Sequence, residues 1–308
     1  MILTLILLIA GFVLLIKGSD MFVDGSSSAA RLMRIPPVIV GLTIVSMGTS
    51  APEAAVSITA GIGGNNEIAF SNLIGSNIFN LLCVAGLSAA IAPFTVDKTI
   101  IKRDFPVCLG LMLITVLMSI DGAISRTDAV ILLLIFFIYT GSLIIHAVKS
   151  RSGEKNDGKQ LSALKSILFI IFGIAAIIIG GQLVVNSSVE LAHNLGMSET
   201  LIGVTIIAIG TSLPELVTSV VAAKKGQSAI AIGNVIGSNI FNISFILGVS
   251  SMFHSISIVS EAFIDACIML AVTVIGCVFC LKDKKLSRTH GIILIILYTA
   301  YTIYLIMR

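Results

Sequence analysis

Two short stretches put polar chemistry where it is least expected. "SMGTSAPEAAVS" at 46–57 and "AIGTSLPELVTS" at 208–219 each set a glutamate among Thr, Ser and Pro inside a long apolar run. An ionised carboxylate at a helix centre costs on the order of 2.5–3.5 kcal/mol on insertion scales. No basic residue stands beside Glu53 or Glu215 in the sequence, so each calls for a cation or a proton as partner. Helical spacing predicts that Thr49, Glu53 and Ser57 share one face, with Ser50 beside them. Thr211, Glu215 and Ser219, with Ser212, repeat that arrangement. Pro52 and Pro214 lack an N–H and are predicted to break their helices against the carbonyls of Gly48 and Gly210. Carbonyls freed there, at the negative end of a half-helix, would favour positive charge.

A second pair of motifs, "NLIGSNIFN" at 72–80 and "NVIGSNIFN" at 234–242, adds amide and hydroxyl oxygens. Asn72, Ser76 and Asn80 fall four apart, as do Asn234, Ser238 and Asn242. Asn77 and Asn239 lie off those faces and are read as bonding to neighbouring backbone. Asn72, Asn234, Ser57 and Ser219 read equally well as ion ligands or as interhelical hydrogen-bonding groups. The collected donors are all oxygen, which suits hard cations. Ca²⁺ accepts six to eight such ligands in irregular geometry, whereas Mg²⁺ holds to a tighter octahedron and keeps its waters. Two carboxylates neutralise one Ca²⁺ or two Na⁺, so one set of ligands could serve either ion in turn.

The elements that position these residues follow from composition. The chain has 308 residues, of which 56% are hydrophobic and 11% charged. A soluble domain carries about 25% charged residues. Runs such as "ILTLILLIAGFVLLI" approach the ~20 residues that cross a bilayer. The fold class is therefore all-α, a polytopic membrane protein, because helices satisfy their own backbone groups in lipid. The first run lacks a preceding basic region, since Lys17 and Asp20 follow it, and it reads as a span rather than a signal peptide.

Slid along itself without gaps, the chain matches its own second half. Gly11 meets Gly173, "VGLTIVSMGTSAPE" meets "IGVTIIAIGTSLPE", and "SRTDAVILLLIFFIY" meets "SRTHGIILIILYTAY". The halves are 1–146 and 163–308, joined by a hydrophilic linker at 147–162. Apolar segments near 2–24, 36–62, 67–92, 104–120 and 127–147 have counterparts near 165–187, 199–222, 229–252, 263–281 and 289–307. About ten spans result. An odd number per half makes the two five-helix repeats inverted, an arrangement of secondary transporters.

Charge supports the layout. With the linker cytoplasmic, that side collects Arg31, Arg34, Lys98, Lys102, Arg103, the linker bases with Lys149 and Lys165, Lys224, Lys225, Lys282, Lys284, Lys285 and Arg288. The other side keeps Arg126 and Arg308. This asymmetry places both termini outside the cell membrane.

Other chemistries fit poorly. The four histidines lie near predicted span ends, so no Ser has a general base within reach for proteolysis, and no pair of membrane-buried aspartates is present. The chain is not read as an enzyme, and no cofactor or nucleic-acid partner is expected. The five cysteines sit in apolar segments as small hydrophobic residues. Asp20 and Asp24 are read as interfacial, and the paired glycines as helix-packing positions.

The paired "GTSAPE"/"GTSLPE" and "GSNIFN"/"GSNIFN" motifs resemble the two alpha-repeats of the sodium/calcium exchanger family, over essentially the whole chain. The resemblance implies Na⁺-driven Ca²⁺ antiport by alternating access, with the first and sixth spans sliding across a core of the others. It implies Glu53 and Glu215 as shared Ca²⁺/Na⁺ ligands, with Thr49, Ser50, Ser76, Asn80, Thr211, Ser212 and Ser238 completing the sites. Asn242 occupies the remaining position, where some relatives, including potassium-dependent ones, have Asp. Two central carboxylates rather than three weaken the case for K⁺ dependence. A Ca²⁺/H⁺ exchanger and a K⁺-dependent Na⁺/Ca²⁺ exchanger are the alternatives, with a cation channel ranked behind them. Ca²⁺, Na⁺ and lipid are the expected partners, with one chain sufficient for transport.

Overall fold

The structure, a computed structural model, describes residues 2–64, 66–149, 161–195 and 208–308. It is almost wholly helical. The first half comprises α1 (Ile2–Met33), the bent pair α2 (Pro37–Thr49) and α3 (Ala51–Ile62), α4 (Glu67–Ile91), α5 (Ile100–Asp121) and α6 (Arg126–Lys149). The second half repeats this with α7 (Ala163–Asn194), α8 (Ala208–Gly210), α9 (Leu213–Lys224), α10 (Ser228–Phe253), α11 (Ser260–Asp283) and α12 (Arg288–Met307). Among the described residues, eight helices are long and apolar enough to cross a membrane, or nine with the bent pair as one span. The span expected at 199–222 lies partly outside the described residues, which cover it from Ala208 onward.

At 1.5 Å per residue, α1 and α7, each 32 residues long, extend about 48 Å. That exceeds a hydrocarbon core of ~30 Å and calls for tilt. They pack on each other along their length through glycines. A Cβ at Gly11 would lie 2.9 Å from the Gly180 carbonyl oxygen, and one at Gly180 would lie 2.8 Å from that of Gly11. Gly18 meets Gly173 in the same way, and Gly25 meets Ser166. Rising numbers on α1 meet falling numbers on α7, so these two equivalent helices run antiparallel. The halves are inverted relative to one another.

α4 and α10 form the centre, 72% and 94% buried, while α1 and α7 are 28% buried. Ile6, Ile9, Val13 and Ile16 of α1 stay exposed, as lipid-facing residues should. The segments between helices contain two small strand pairs that patterning did not anticipate. β1 (Phe94–Thr95) pairs with β4 (Lys285–Leu286), and β2 (Ala123–Ile124) with β3 (Ile256–Ser257), all antiparallel. They too are exchanged by the repeat symmetry. Two-residue strands are too short to announce themselves by alternation.

Candidate ion site

The polar motifs meet at the bend. α2 ends at Thr49 and α3 restarts at Ala51, turning by 54°. Ser50 between them has φ −79° and ψ 9°. In the second half Ser212 plays the same part at φ −94° and ψ 5°. The expected breaks are present, but Pro52 and Pro214 do not make them by clashing inside a helix with the Gly48 and Gly210 carbonyls. Both prolines sit in the opening turn of α3 and α9, where a missing N–H costs nothing. Glu53 and Glu215 occupy those opening turns too, so each carboxylate lies at the positive end of a helix.

The break also corrects the expected shared face. Ser50 and Ser212 stand at helix N-caps, yet neither side chain caps its own helix. Each crosses to the other repeat. Ser50 Oγ donates to Glu215 Oε1 at 2.7 Å, and Ser212 Oγ donates to Glu53 Oε1 at 2.8 Å. Ser212 Oγ also lies 3.1 Å from Ser76 Oγ. Thr49, on the α2 side of the break, donates to Asn234 Oδ1 at 3.0 Å. Ser57 lies elsewhere, accepting from Asn72 Nδ2 at 3.0 Å, and Ser219 accepts from Asn234 Nδ2 at 2.9 Å. These Asn–Ser pairs tie α3 to α4 and α9 to α10.

Burial is complete where it matters. Glu53 and Glu215 are both 0% exposed. Thr49, Ser50, Ser76, Asn80, Ser212, Ser238 and Asn242 are buried, and Thr211 is half-buried. The two carboxylates are near enough to repel one another, and Ser238 stands beside Glu215. No basic side chain pairs with either glutamate among the described residues. The contrast with other buried acids is clear. Asp104 is held by Arg103 and by the Tyr139 hydroxyl at 2.9 Å, and Asp265 by Arg308 at 2.8 Å.

Among the described residues, six buried oxygens of the site find no hydrogen-bond partner: Glu53 Oε2, Glu215 Oε2, Asn80 Oδ1, Asn242 Oδ1, Thr211 Oγ1 and Ser238 Oγ. Buried polar atoms are normally satisfied. Here the exceptions concentrate at one place, mostly as symmetry-related pairs, and all are oxygens able to ligate a cation.

Comparison with known proteins bears on this geometry. The family model described as "Sodium/calcium exchanger protein" matches residues 3–145 and again 165–307. The chain belongs to the sodium/calcium exchanger family. It is 37% identical over 315 residues to the putative antiporter CaxA of Alkalimonas amylolytica, covering 98% of each chain. It is 32% identical over 345 residues to the sodium/calcium exchanger MaX1 of Methanosarcina acetivorans, covering 97% of each. A solved structure of the sodium-calcium exchanger NCX_Mj, soaked with zero Na⁺ and Ca²⁺, matches with TM-score 0.88 and 34% identity over 99% of each chain. As a family member, the chain is a multi-pass membrane protein of a transporter class.

Sequence reasoning missed two features of this family member. Each "GSNIFN" motif ends in a wide, π-helical stretch, at Asn80–Val84 and Asn242–Leu247. Such bulges recur at functional sites, but no residue type announces them. Asn77 and Asn239 also do more than bond to nearby backbone, since both reach across to the other repeat. Asp20 and Asp24 are ion-paired with Lys225 at 2.6 and 2.7 Å, which links α1 to the end of α9.

Proposed function

We propose that this chain exchanges Na⁺ for Ca²⁺ across the cell membrane, both ions using the same oxygens in turn. One observation carries the reading: two fully buried, symmetry-related glutamates, bonded crosswise by Ser50 and Ser212, each keep an oxygen without a partner. With Glu53 and Glu215 as the charged ligands, Thr49, Ser50, Ser76, Asn80, Thr211, Ser212, Ser238 and Asn242 supply neutral oxygens. That set fits Ca²⁺, which takes several oxygens and tolerates irregular geometry.

Charge sets the stoichiometric logic. Two carboxylates balance one Ca²⁺ or two Na⁺. A further Na⁺ leaves the loaded site positive, so a cycle moving more than two Na⁺ per Ca²⁺ is electrogenic. Both halves of the site come from one chain, so a single chain suffices for transport. The glycine-lined seam between α1 and α7 supports alternating access by sliding of that pair over the core. Both termini lie outside and the 147–162 linker is cytoplasmic. The distribution of Lys and Arg supports this orientation. The β1–β4 and β2–β3 pairings agree with the ten-span layout, since each joins segments that it puts on one side.

The test is ⁴⁵Ca²⁺ uptake into proteoliposomes with a Na⁺, K⁺ or pH gradient as the only driving force. Accumulation with Na⁺ alone is expected. Accumulation that requires K⁺, or that a pH gradient drives by itself, would replace Na⁺-only coupling. Ca²⁺ entry without any counter-gradient would indicate a channel.

A further inference from the structure

We infer that Asn77 and Asn239 are positioning residues that set which atom of Asn242 and Asn80 faces the ions. This rests on the reading of the Glu53–Glu215 region as a cation site. A ligand amide is useful to a cation only through its oxygen. Turned over, it presents an NH₂ group and repels the ion. Something must decide the orientation, and the bonding pattern shows what does.

Two backbone carbonyls, which can only accept, anchor the network. Asn77 Nδ2 donates to the Asn239 carbonyl at 3.4 Å, and Asn239 Nδ2 donates to the Asn77 carbonyl at 3.2 Å. The thioether of Met269, a weak acceptor, lies 3.7 Å from Asn77 Nδ2 on the same side. These contacts fix both amides with Nδ2 toward backbone and Oδ1 away from it. Oδ1 of Asn77 then accepts from Asn242 Nδ2 at 3.0 Å, and Oδ1 of Asn239 accepts from Asn80 Nδ2 at 3.1 Å. An acceptor there excludes the reversed amide at Asn242 and Asn80. Their Oδ1 atoms are left buried and without a protein partner. Asn80 lies one helical turn beyond Ser76, which is bonded to Ser212 beside Glu53. Asn242 bears the same relation to Ser238, beside Glu215. All four asparagines are 0% exposed, so water cannot compete for these bonds.

The arrangement is reciprocal. The first repeat orients the second repeat's ligand, and the second repeat orients the first repeat's. Outer partners of metal ligands typically account for 10–100-fold in metal affinity. Asn77→Ala should therefore raise the half-saturating Ca²⁺ concentration by about tenfold. Loss of packing alone could raise it too, so the decisive readout is coupling. In an Asn242→Asp background a carboxylate presents an oxygen whichever way it turns. Adding Asn77→Ala there should not raise the half-saturating Ca²⁺ concentration, since the carboxylate has no N–H to donate to Asn77 Oδ1. In an Asn80→Asp background Asn77→Ala should keep its full effect, because the Asn77 side-chain oxygen is bonded to Asn242 and not to Asn80. The mirror pair is Asn239→Ala, expected not to raise the half-saturating concentration with Asn80→Asp and to raise it with Asn242→Asp.

The measurement is Na⁺-gradient-driven ⁴⁵Ca²⁺ uptake by the full chain in proteoliposomes over a range of Ca²⁺ concentrations. If an alanine variant is not monodisperse, Asn77→Ser and Asn239→Ser replace it in the same design. Effects of equal size in all backgrounds would overturn the positioning role while leaving the exchanger reading intact. A wild type that does not accumulate Ca²⁺ would overturn both.

Discussion

Replacing Glu53 or Glu215 with glutamine changes charge while keeping shape. In Glu53→Gln, the side-chain oxygen can still accept from Ser212 Oγ, the 2.8 Å bond of the native structure. The position of Oε2, which has no partner, receives either that oxygen or an NH₂ group. The cation thus loses one of two negative charges and gains a competing dipole. Two unit charges 4 Å apart at an effective dielectric of 20 interact by about 4 kcal/mol, and a divalent ion doubles this to about 8 kcal/mol. Desolvation cancels much of that sum. If only a quarter survives, about 2 kcal/mol, Ca²⁺ affinity falls some thirtyfold. A neutral ligand such as Ser50 contributes a hydrogen-bond-sized ~1 kcal/mol, about a fivefold effect. Glutamine should therefore remove most Ca²⁺ uptake at concentrations that just saturate the wild type, whereas Ser50→Ala should only weaken it. Stability separates loss of the site from loss of the fold. Without ions, two buried like charges oppose folding, and removing one is neutral or stabilising. Glu53→Gln should melt no lower than wild type in ion-free buffer and should lose the upward shift that Ca²⁺ gives the wild type. The assay is thermal unfolding of purified protein with and without Ca²⁺, alongside ⁴⁵Ca²⁺ uptake. Wild-type uptake, or an undiminished Ca²⁺-induced shift, in either glutamine variant would refute the assigned site.

Three further outcomes are expected. In a cysteine-free background, a Cys placed at 150–158 should label only from the cytoplasm and one at 194–197 only from outside; reversed labelling overturns the orientation, and same-side labelling overturns the inverted layout. At clamped voltage, inside-negative potential should speed Na⁺ entry coupled to Ca²⁺ exit without K⁺, and voltage-independent flux would rule out an electrogenic cycle. Burial works against the Lys225 ammonium, but the Asp20 and Asp24 carboxylates more than offset it and hold its pKa above the usual 10.5. That ion-pair stabilisation is complete below pH 10.5 and lost as pH rises through the raised native value. Lys225→Gln should cost at most about 1 kcal/mol, less in high salt, and unfolding midpoints compared from neutral to alkaline pH should show the gap to wild type closing.

Much of this protein was legible without coordinates. Lipid leaves an apolar chain little choice but helices, and a repeat with an odd number of spans has to invert. A carboxylate within an apolar run has few uses, so Glu53 and Glu215 identify themselves, and the hydroxyls around them follow by proximity in the chain. The glycine pattern likewise marks where helices approach. The contacts that make a site of these residues were not legible. Ser50 serves Glu215 rather than the neighbouring Glu53, and Ser212 serves Glu53 rather than Glu215. Asn77 orients Asn242 and not Asn80. Each of these bonds joins residues of opposite repeats, far apart along the chain. Local spacing constrains only neighbours on one helix face. Which side chain meets which across the repeat interface depends on how two inverted halves are seated against each other, through close backbone contacts such as Gly11 on Gly180. That seating is a property of packing in three dimensions, and it turned two similar strings of polar residues into one shared set of oxygens.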